Sequence, residues 1–334
     1  MIAVVILLYG CANKSQSNPY QRSSGETMGT SYNITYDHPK PLTDEFQKLL
    51  NEIEASLSTY IKESPISRFN DASYEGSEIW NDDVHFQINT NAAIEVYETS
   101  DGYFDPTVMP LVNYWGFGPT GRIAVEERDE SFIDSIMNHV GFNRIISNDR
   151  SSVTRNAFVQ LDFSSIAKGY AVDVLADFLE DKGVKNYLVE VGGEMRLLGT
   201  NEKNKIWSVA INTPQVNTST NDVIKILSVG RGAVATSGNY RNYHKVGGQI
   251  YGHTINPKTG YPEYGTLLST TIIGRSCMFA DAYATACMAM GVEKALEMMQ
   301  NIEGYEAYFI SSDDNNKMIT TFTNGFIQYS QPNE

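Results

Sequence analysis

The chain has 334 residues, 41% of them hydrophobic, and a formal net charge of −15. That is enough apolar material for a full core, in two ordinary domains or one large one. The acidic balance argues against nucleic acid or an anionic lipid surface as the main partner, and any phosphate ligand would call for a divalent cation as a screen.

Met1–Gly10 is an uncharged apolar run that stops at Cys11. Ten residues fall short of the roughly 20 that span a bilayer, but they suit the apolar region of a signal peptide. Leu8–Cys11 (LYGC) resembles a bacterial lipobox, in which Cys11 carries the lipid and the protein sits on the outer face of a membrane; a buried strand ending in cysteine is the alternative. The expected division is a signal and lipobox over 1–11, a flexible polar tether over 12–25 and a folded domain over 26–334.

Ser31–Tyr36 alternates in β-formers and predicts a strand. Pro41–Tyr60 has apolar residues at helical spacing, with Thr43 as the expected N-cap. Further helices are predicted over Asn89–Ser100, Glu126–Val140 and Ala167–Lys182, the last closed by Gly183. Tyr187–Val191 reads as an apolar strand followed by Gly192 and Gly193, and Ile206–Ile211, Val223–Val229 and Leu268–Ile273 also read as strands. A long helix over Phe279–Met299 precedes terminal strands near Tyr305–Ile310 and Phe326–Tyr329. Hairpins cluster in the second half, so the predicted class is α+β with a largely antiparallel sheet and packed helices. Cys277 and Cys287 lie in apolar surroundings without metal-ligand spacing, which predicts burial, with a disulfide between them as the alternative.

Val223–Pro262 contains no Asp or Glu, yet it holds Lys225, Arg231, Arg241, His244, Lys245, His253 and Lys258 among many glycines. A basic island in an acidic chain suits a multiply charged anion such as a diphosphate; a hairpin pair that merely lacks acids is the plain reading. Gly230–Ala235 fits a loose G-x-G-x-x-A pattern, but neither a helix nor an acid at the required distance follows it, which argues against a Rossmann site. There is no Walker loop, no zinc spacing among the five histidines and no G-x-S-x-G elbow. Asp281 and Thr285 lie four apart on a predicted helix and so share a face. Carboxylate and hydroxyl are hard donors suited to Mg²⁺, although a helix-end acid and a back-bonded threonine would look the same.

Several stretches together resemble one family, the FAD:protein FMN transferases or ApbE-like flavin transferases. They are Gly25–Thr30 (GETMGT), Leu57–Tyr60 (LSTY) with Ser67–Asn70 (SRFN), and Gly102–Thr107 (GYFDPT) running on to Trp115–Gly118 (WGFG). Ile166–Asp173 (IAKGYAVD), Val191–Gly193 (VGG), Ala235–Tyr240 (ATSGNY), His253–Pro262 (HTINPKTGYP) and Asp281–Thr285 (DAYAT) continue the match in order. Ser164 and Ser165 stand where many members have two glycines, which limits positive φ in that loop.

The resemblance implies binding of FAD and Mg²⁺ and transfer of the FMN half to a threonine hydroxyl of a target protein, with release of AMP. The implied target is a subunit of a membrane redox complex. The implied metal donors are Asp281, Thr285 and the backbone carbonyl of Ala167, with Lys168, Asp281 and His253 in catalytic roles. The implied FAD contacts are Asp105, Thr107, Lys168, Gly192, Gly193, Thr236, Ser237 and His253, with Met28 and Tyr60 against the rings. For the last two, core packing is the other reading; for Gly192 and Gly193, a plain tight turn is. His253 is expected to accept the threonine proton, to donate to a phosphate oxygen, or to hold its turn. An FAD pyrophosphatase using water in place of threonine, and a non-catalytic FAD-binding lipoprotein, are the competing functions; an intact Asp281 and Thr285 pair speaks against the second.

Overall fold

The computed structural model describes residues 19–71, 83–119, 129–142, 145–147, 153–155, 158–214, 222–238, 243–246, 249–263, 265–313, 315 and 317–330. In chain order the elements are β1 (Tyr20–Thr27), β2 (Thr30–Asp37), α1 (Thr43–Leu57), α2 (Pro65–Asn70), α3 (Val84–Thr99), α4 (Met109–Tyr114) and α5 (Glu130–Met137). Next come β3 (Ile145–Ser147), β4 (Val153–Arg155), α6 (Ala167–Asp181), β5 (Tyr187–Val191), β6 (Glu194–Leu198), β7 (Trp207–Asn212), β8 (Val223–Val229) and β9 (Arg231–Gly238). The chain closes with β10 (Tyr243–Val246), β11 (Gln249–Gly252), β12 (Leu267–Gly274), α7 (Cys277–Met290), α8 (Val292–Gln300), β13 (Glu306–Ser312) and β14 (Met318–Phe322).

Eight strands form one sheet in the order β1-β2-β5-β6-β9-β12-β13-β14, and every neighbouring pair is antiparallel. The α+β expectation with an antiparallel sheet therefore holds. Alternation along the strands sends side chains to two different cores. Val189, Val191, Ala233, Ala235, Ile272 and Phe309 join α1, α3, α6 and α7 in the larger one. Leu197, Val234, Ile273, Tyr308 and Ile310 join Trp207, Val209, Ile211, Leu227 and Val229 of the β7–β8 ribbon in the second. Both faces of the sheet are thus covered, one by helices and one by a ribbon.

The local elements depart from expectation where long-range contacts override local pattern. Strand β1 starts at Tyr20, within the stretch expected as tether: Ser23 is buried and bonded to Thr43, and Tyr20 donates its hydroxyl to the Thr200 carbonyl. Thr43 consequently faces β1 and does not cap α1; the cap position is Leu42, whose N–H donates to Tyr36 Oη at 2.7 Å. The second helix begins earlier than predicted because Asp83 caps it, accepting from the Phe86 N–H. The third is confined to α5 behind the Asp129 cap, and 126–128 lie outside the described residues. The long final helix is two helices, because Gly291 at φ +78° ends α7 and α8 restarts beyond it. Asn324–Tyr329 is a 3-10 turn, not a strand: Phe326 is pinned in the second core, stacked on Tyr308 at 4.9 Å, while Ile327 points outward. Cys277 and Cys287 are both buried free thiols, as their surroundings predicted. Among the described residues, no helix is long and apolar enough to cross a membrane.

Candidate active site

A cleft of about 380 Å³ opens where the start of α6, the middle of α7, the β5–β6 turn and the end of β9 converge, with β7 along one wall. Its lining includes Lys168, Gly192, Gly193, Glu194, Thr236, Ser237, His253, Asp281 and Thr285. Seven separate stretches of sequence meet there, and the sheet order explains how several of them do. The strands β5, β6, β9 and β12 are consecutive in the sheet, so the β5–β6 turn, the end of β9 and the helix after β12 arrive side by side.

Two close approaches set the spacing of the charged groups. A Cβ on Gly169 would stand 2.3 Å from the Cys277 carbonyl oxygen and 2.8 Å from Met278 Cα, so only glycine lets α6 reach the start of α7. That contact carries Lys168 to Asp281: the Gly169 N–H and Lys168 Nζ donate to Asp281 Oδ2, at 3.1 and 3.4 Å. Gly192 sits at φ +61° in the β5–β6 turn, and a Cβ there would crowd Thr30 Cγ2 at 2.9 Å and Lys168 Cδ at 3.3 Å. The glycine pair therefore turns the hairpin and makes room for the Lys168 stem.

The residue directly after that turn, Glu194, pairs in register with Val191 on the helix-facing side of the sheet. It is 5% exposed, its Oε1 lies 3.3 Å from Lys168 Nζ, and its Oε2 is buried without a partner. Two buried carboxylates thus share one ammonium. Burial works against the charge on Lys168, but Asp281 and Glu194 outweigh it and hold the ammonium above the ordinary lysine range. Burial also raises Asp281, which Lys168 and the Gly169 N–H counteract. Burial pushes Glu194 up to about 7, with Lys168 pulling down and Asp281 adding to the rise.

The remaining predicted residues divide between cleft and scaffold. Thr285 faces the cleft one turn beyond Asp281, with Ser237 Oγ 3.4 Å from its hydroxyl. Thr236 Oγ1 lies 2.9 Å from Thr271 Oγ1. His253 is exposed at the cleft mouth, its ring edge-on to Phe117 at 6.5 Å. Asp105 lines the cleft, yet its carboxylate is taken by the N–H and hydroxyl of Thr107 and by the Phe142 N–H. Thr107 is fully buried beneath it and also accepts from the Gly141 N–H. Ala167, the first residue of α6, is buried beside Lys168 and contributes no side chain to the lining.

Met28 and Tyr60 are not among the lining residues. Met28 takes φ +49° in the two-residue β1–β2 turn with its side chain against the larger core, and Tyr60 is 73% exposed. Of the basic island's cations with described side chains, Lys225, Arg231 and Lys258 also lie off the lining: Lys258 pairs with Asp101 and Arg231 with Glu180. The side chains of Arg241, His244 and Lys245, like Cys11, fall outside the described residues.

Glu194 and Asp162 line the cleft but carried no motif that sequence reasoning used. For Glu194 a signal existed, since an acid on the helix-facing side of a strand needs a partner.

The donor set suits a hard divalent cation. Asp281 spends only Oδ2 on protein donors, Thr285 offers a hydroxyl, and Asp281 and Glu194 have the single ammonium of Lys168 between them. Among the described residues there is no group of three or more His, Cys, Asp or Glu side chains placed to hold a metal. Such a sparse set matches Mg²⁺, which is bound by one or two carboxylates plus substrate phosphate and keeps several waters.

The family model described as "ApbE family" matches residues 28–309. The chain is 37% identical to the FAD:protein FMN transferase of Vibrio cholerae over 319 residues, covering 94% of this chain and 93% of that one. It is 31% identical to the FAD:protein FMN transferase of Escherichia coli, with 94% and 92% covered. Among solved structures, the flavin transferase ApbE of Vibrio cholerae superposes with a TM-score of 0.83 at 34% identity, covering 93% of this chain and 100% of that one. The apo flavinyl transferase ApbE of Pseudomonas stutzeri gives 0.83 at 31% identity, with 95% and 99% covered.

Proposed function

We infer the activity from membership: the chain belongs to the ApbE family and is an FAD:protein FMN transferase. The observation that supports a site for it is Asp281 and Thr285 on one face of α7, with Lys168 held against Asp281 at 3.4 Å in the cleft. We propose that Asp281, Thr285 and the Ala167 carbonyl hold Mg²⁺, which when bound would offset the negative charge of the diphosphate. Lys168 lies beside the same position and supplies a fixed ammonium for the charge that builds on the departing phosphate. In the transfer, the threonine oxygen bonds to the phosphorus of the FMN half, and the bond from that phosphorus to the bridging oxygen breaks. The bridging oxygen leaves with AMP. His253, at the mouth where a protein acceptor would enter, takes the proton from the threonine hydroxyl.

Two measurements test the reading. AMP release from FAD should stop after thorough chelation and return with Mg²⁺, and mass spectrometry of a candidate acceptor should show the added FMN on a threonine. Full turnover in chelator would refute the metal assignment. FMN and AMP produced at an undiminished rate with no acceptor present would mark a hydrolase. Cys11 as a lipid anchor to the outer face of a membrane is a further part of this proposal. Cys11→Ser should free the protein into the soluble fraction with its chemistry unchanged, and a variant that still sediments with membranes would refute it.

A further inference from the structure

We propose that Glu194 is a positioning residue of this site: one carboxylate oxygen steers Lys168, and the other accepts a hydrogen bond from a water carried by the bound Mg²⁺. The inference rests on the metal reading above and extends it to a residue outside the donor set.

Three observations carry it. Glu194 Oε2 is buried without a hydrogen-bond partner, although its residue lines the cleft with Asp281 and Thr285. A buried acceptor left unpaired costs about 1–3 kcal/mol, and more for a charged one, so a donor brought by the ligand is favoured there. Glu194 Oε1 and Asp281 Oδ2 lie 3.3 and 3.4 Å from the same Lys168 nitrogen, so the two carboxylates flank one ammonium and each keeps its other oxygen for a further partner. A hydrated cation bound by Asp281 would bring its waters next to Glu194. The backbone fixes this placement, since Glu194 follows Gly192 and Gly193 at φ +61° and +106° and is paired with Val191.

The chemistry selects the partner. A diphosphate oxygen is an acceptor only and would repel the carboxylate, whereas a hydrated cation brings both positive charge and O–H donors. A sugar hydroxyl of FAD would supply a donor without charge, and it would not add a second cation to the two carboxylates that share Lys168.

The test uses the full chain and Mg²⁺, titrated calorimetrically with and without FAD into wild type and Glu194→Gln, with FAD binding measured separately in chelator by flavin fluorescence. Loss of a group that orders a metal's surroundings typically weakens metal affinity about 10–100-fold. Glu194→Gln should weaken Mg²⁺ by that factor and change metal-free FAD affinity less than about threefold. Glu194→Ala, which introduces no amide into the pocket, should weaken Mg²⁺ similarly and stands in if the glutamine variant misfolds. Mg²⁺ affinity within about threefold of wild type in both variants would overturn the proposal. So would an equal loss of metal-free FAD binding, which would make a ligand hydroxyl the partner of Oε2. Wild type that binds no Mg²⁺ even with FAD present would refute the metal reading itself, a result distinct from either.

Discussion

Asp173→Ala should destabilise the protein severely and loosen the metal site, although Asp173 lies off the cleft. Its carboxylate projects from α6 onto the start of α7. Oδ1 accepts from the Cys277 N–H at 3.0 Å and Arg196 Nη1 at 3.1 Å, and Oδ2 accepts from Ser276 Oγ at 2.7 Å and the Met278 N–H at 3.0 Å. An acid from one helix thus caps the N-terminus of another, where the helix dipole favours negative charge. Removing it orphans two backbone N–H groups, and that of Cys277 is in a fully buried residue. Each orphaned group costs about 1–3 kcal/mol, and the lost anion at the helix end up to about 2 kcal/mol. Part of this is offset, because the carboxylate's own burial cost disappears and Arg196 keeps Asp177 and Glu180. A net loss of about 3–5 kcal/mol follows, in the range for breaking a buried charged network. For a chain of this size that corresponds to a melting point roughly 4–7 °C lower. Asp173→Asn should lose most of the same stability, because its amide would turn a donor toward either Cys277 or Met278, both donors already. Thermal unfolding by circular dichroism reads the stability, and Mg²⁺ titration reads the site, since Asp281 follows one turn into α7. A melting point for Asp173→Ala within about 2 °C of wild type would refute the capping argument.

Other outcomes follow from the same contacts. Asp281→Ala should abolish AMP release from FAD while Thr285→Ala lowers it less, because a charged ligand holds Mg²⁺ more strongly than a hydroxyl that water can replace; a folded Asp281→Ala variant at wild-type rate would contradict this. His253→Ala should bind FAD normally but transfer FMN at least roughly a hundredfold more slowly, the usual cost of a lost general base. Collapse of FAD binding in that variant would instead make His253 a ligand contact. Burial pushes Asp105 up to about 6 against the pull of the Thr107 and Phe142 donors and Lys258. A carboxyl with a raised native pKa favours folding below its unfolded value, near 4, and loses that contribution as pH rises through 6. Chemical denaturation from pH 4 to 7 should therefore show a stability slope, worth up to about 3 kcal/mol, that Asp105→Asn lacks. Parallel curves for the two proteins would falsify the assignment.

The sequence disclosed the chemistry of this site more readily than its assembly, and the reason lies in the range of the interactions. Asp281 and Thr285 were legible because their relation is local, four residues on one helix face. Lys168 was legible only through the family motif, since its tie to Asp281 depends on Gly169 lying against the Cys277 carbonyl, a contact across more than a hundred residues. The β8 strand was predicted with its true ends, Val223–Val229, yet its place in a ribbon over the second face of the sheet was not, because pairing partners leave no mark within a strand. The basic island misdirected attention for a similar reason. Composition counted its cations, but Arg231 and Lys258 are drawn to Glu180 and Asp101 instead of the cleft. Glu194 shows what pattern reading can still recover. Val191, Val189 and Tyr187 of β5 face the helices, and their register partners on β6 are Glu194, Arg196 and Leu198. Two charges on the core side of a strand would ordinarily argue against that register. Here they confirm it, because α6 presents Lys168 to Glu194 and Asp173, Asp177 and Glu180 to Arg196. The strand and helix were each readable alone. Read together, the lysine at the start of α6 and the acids along it require opposite charges on the neighbouring strand, and the Glu194 and Arg196 pair answers in the same order.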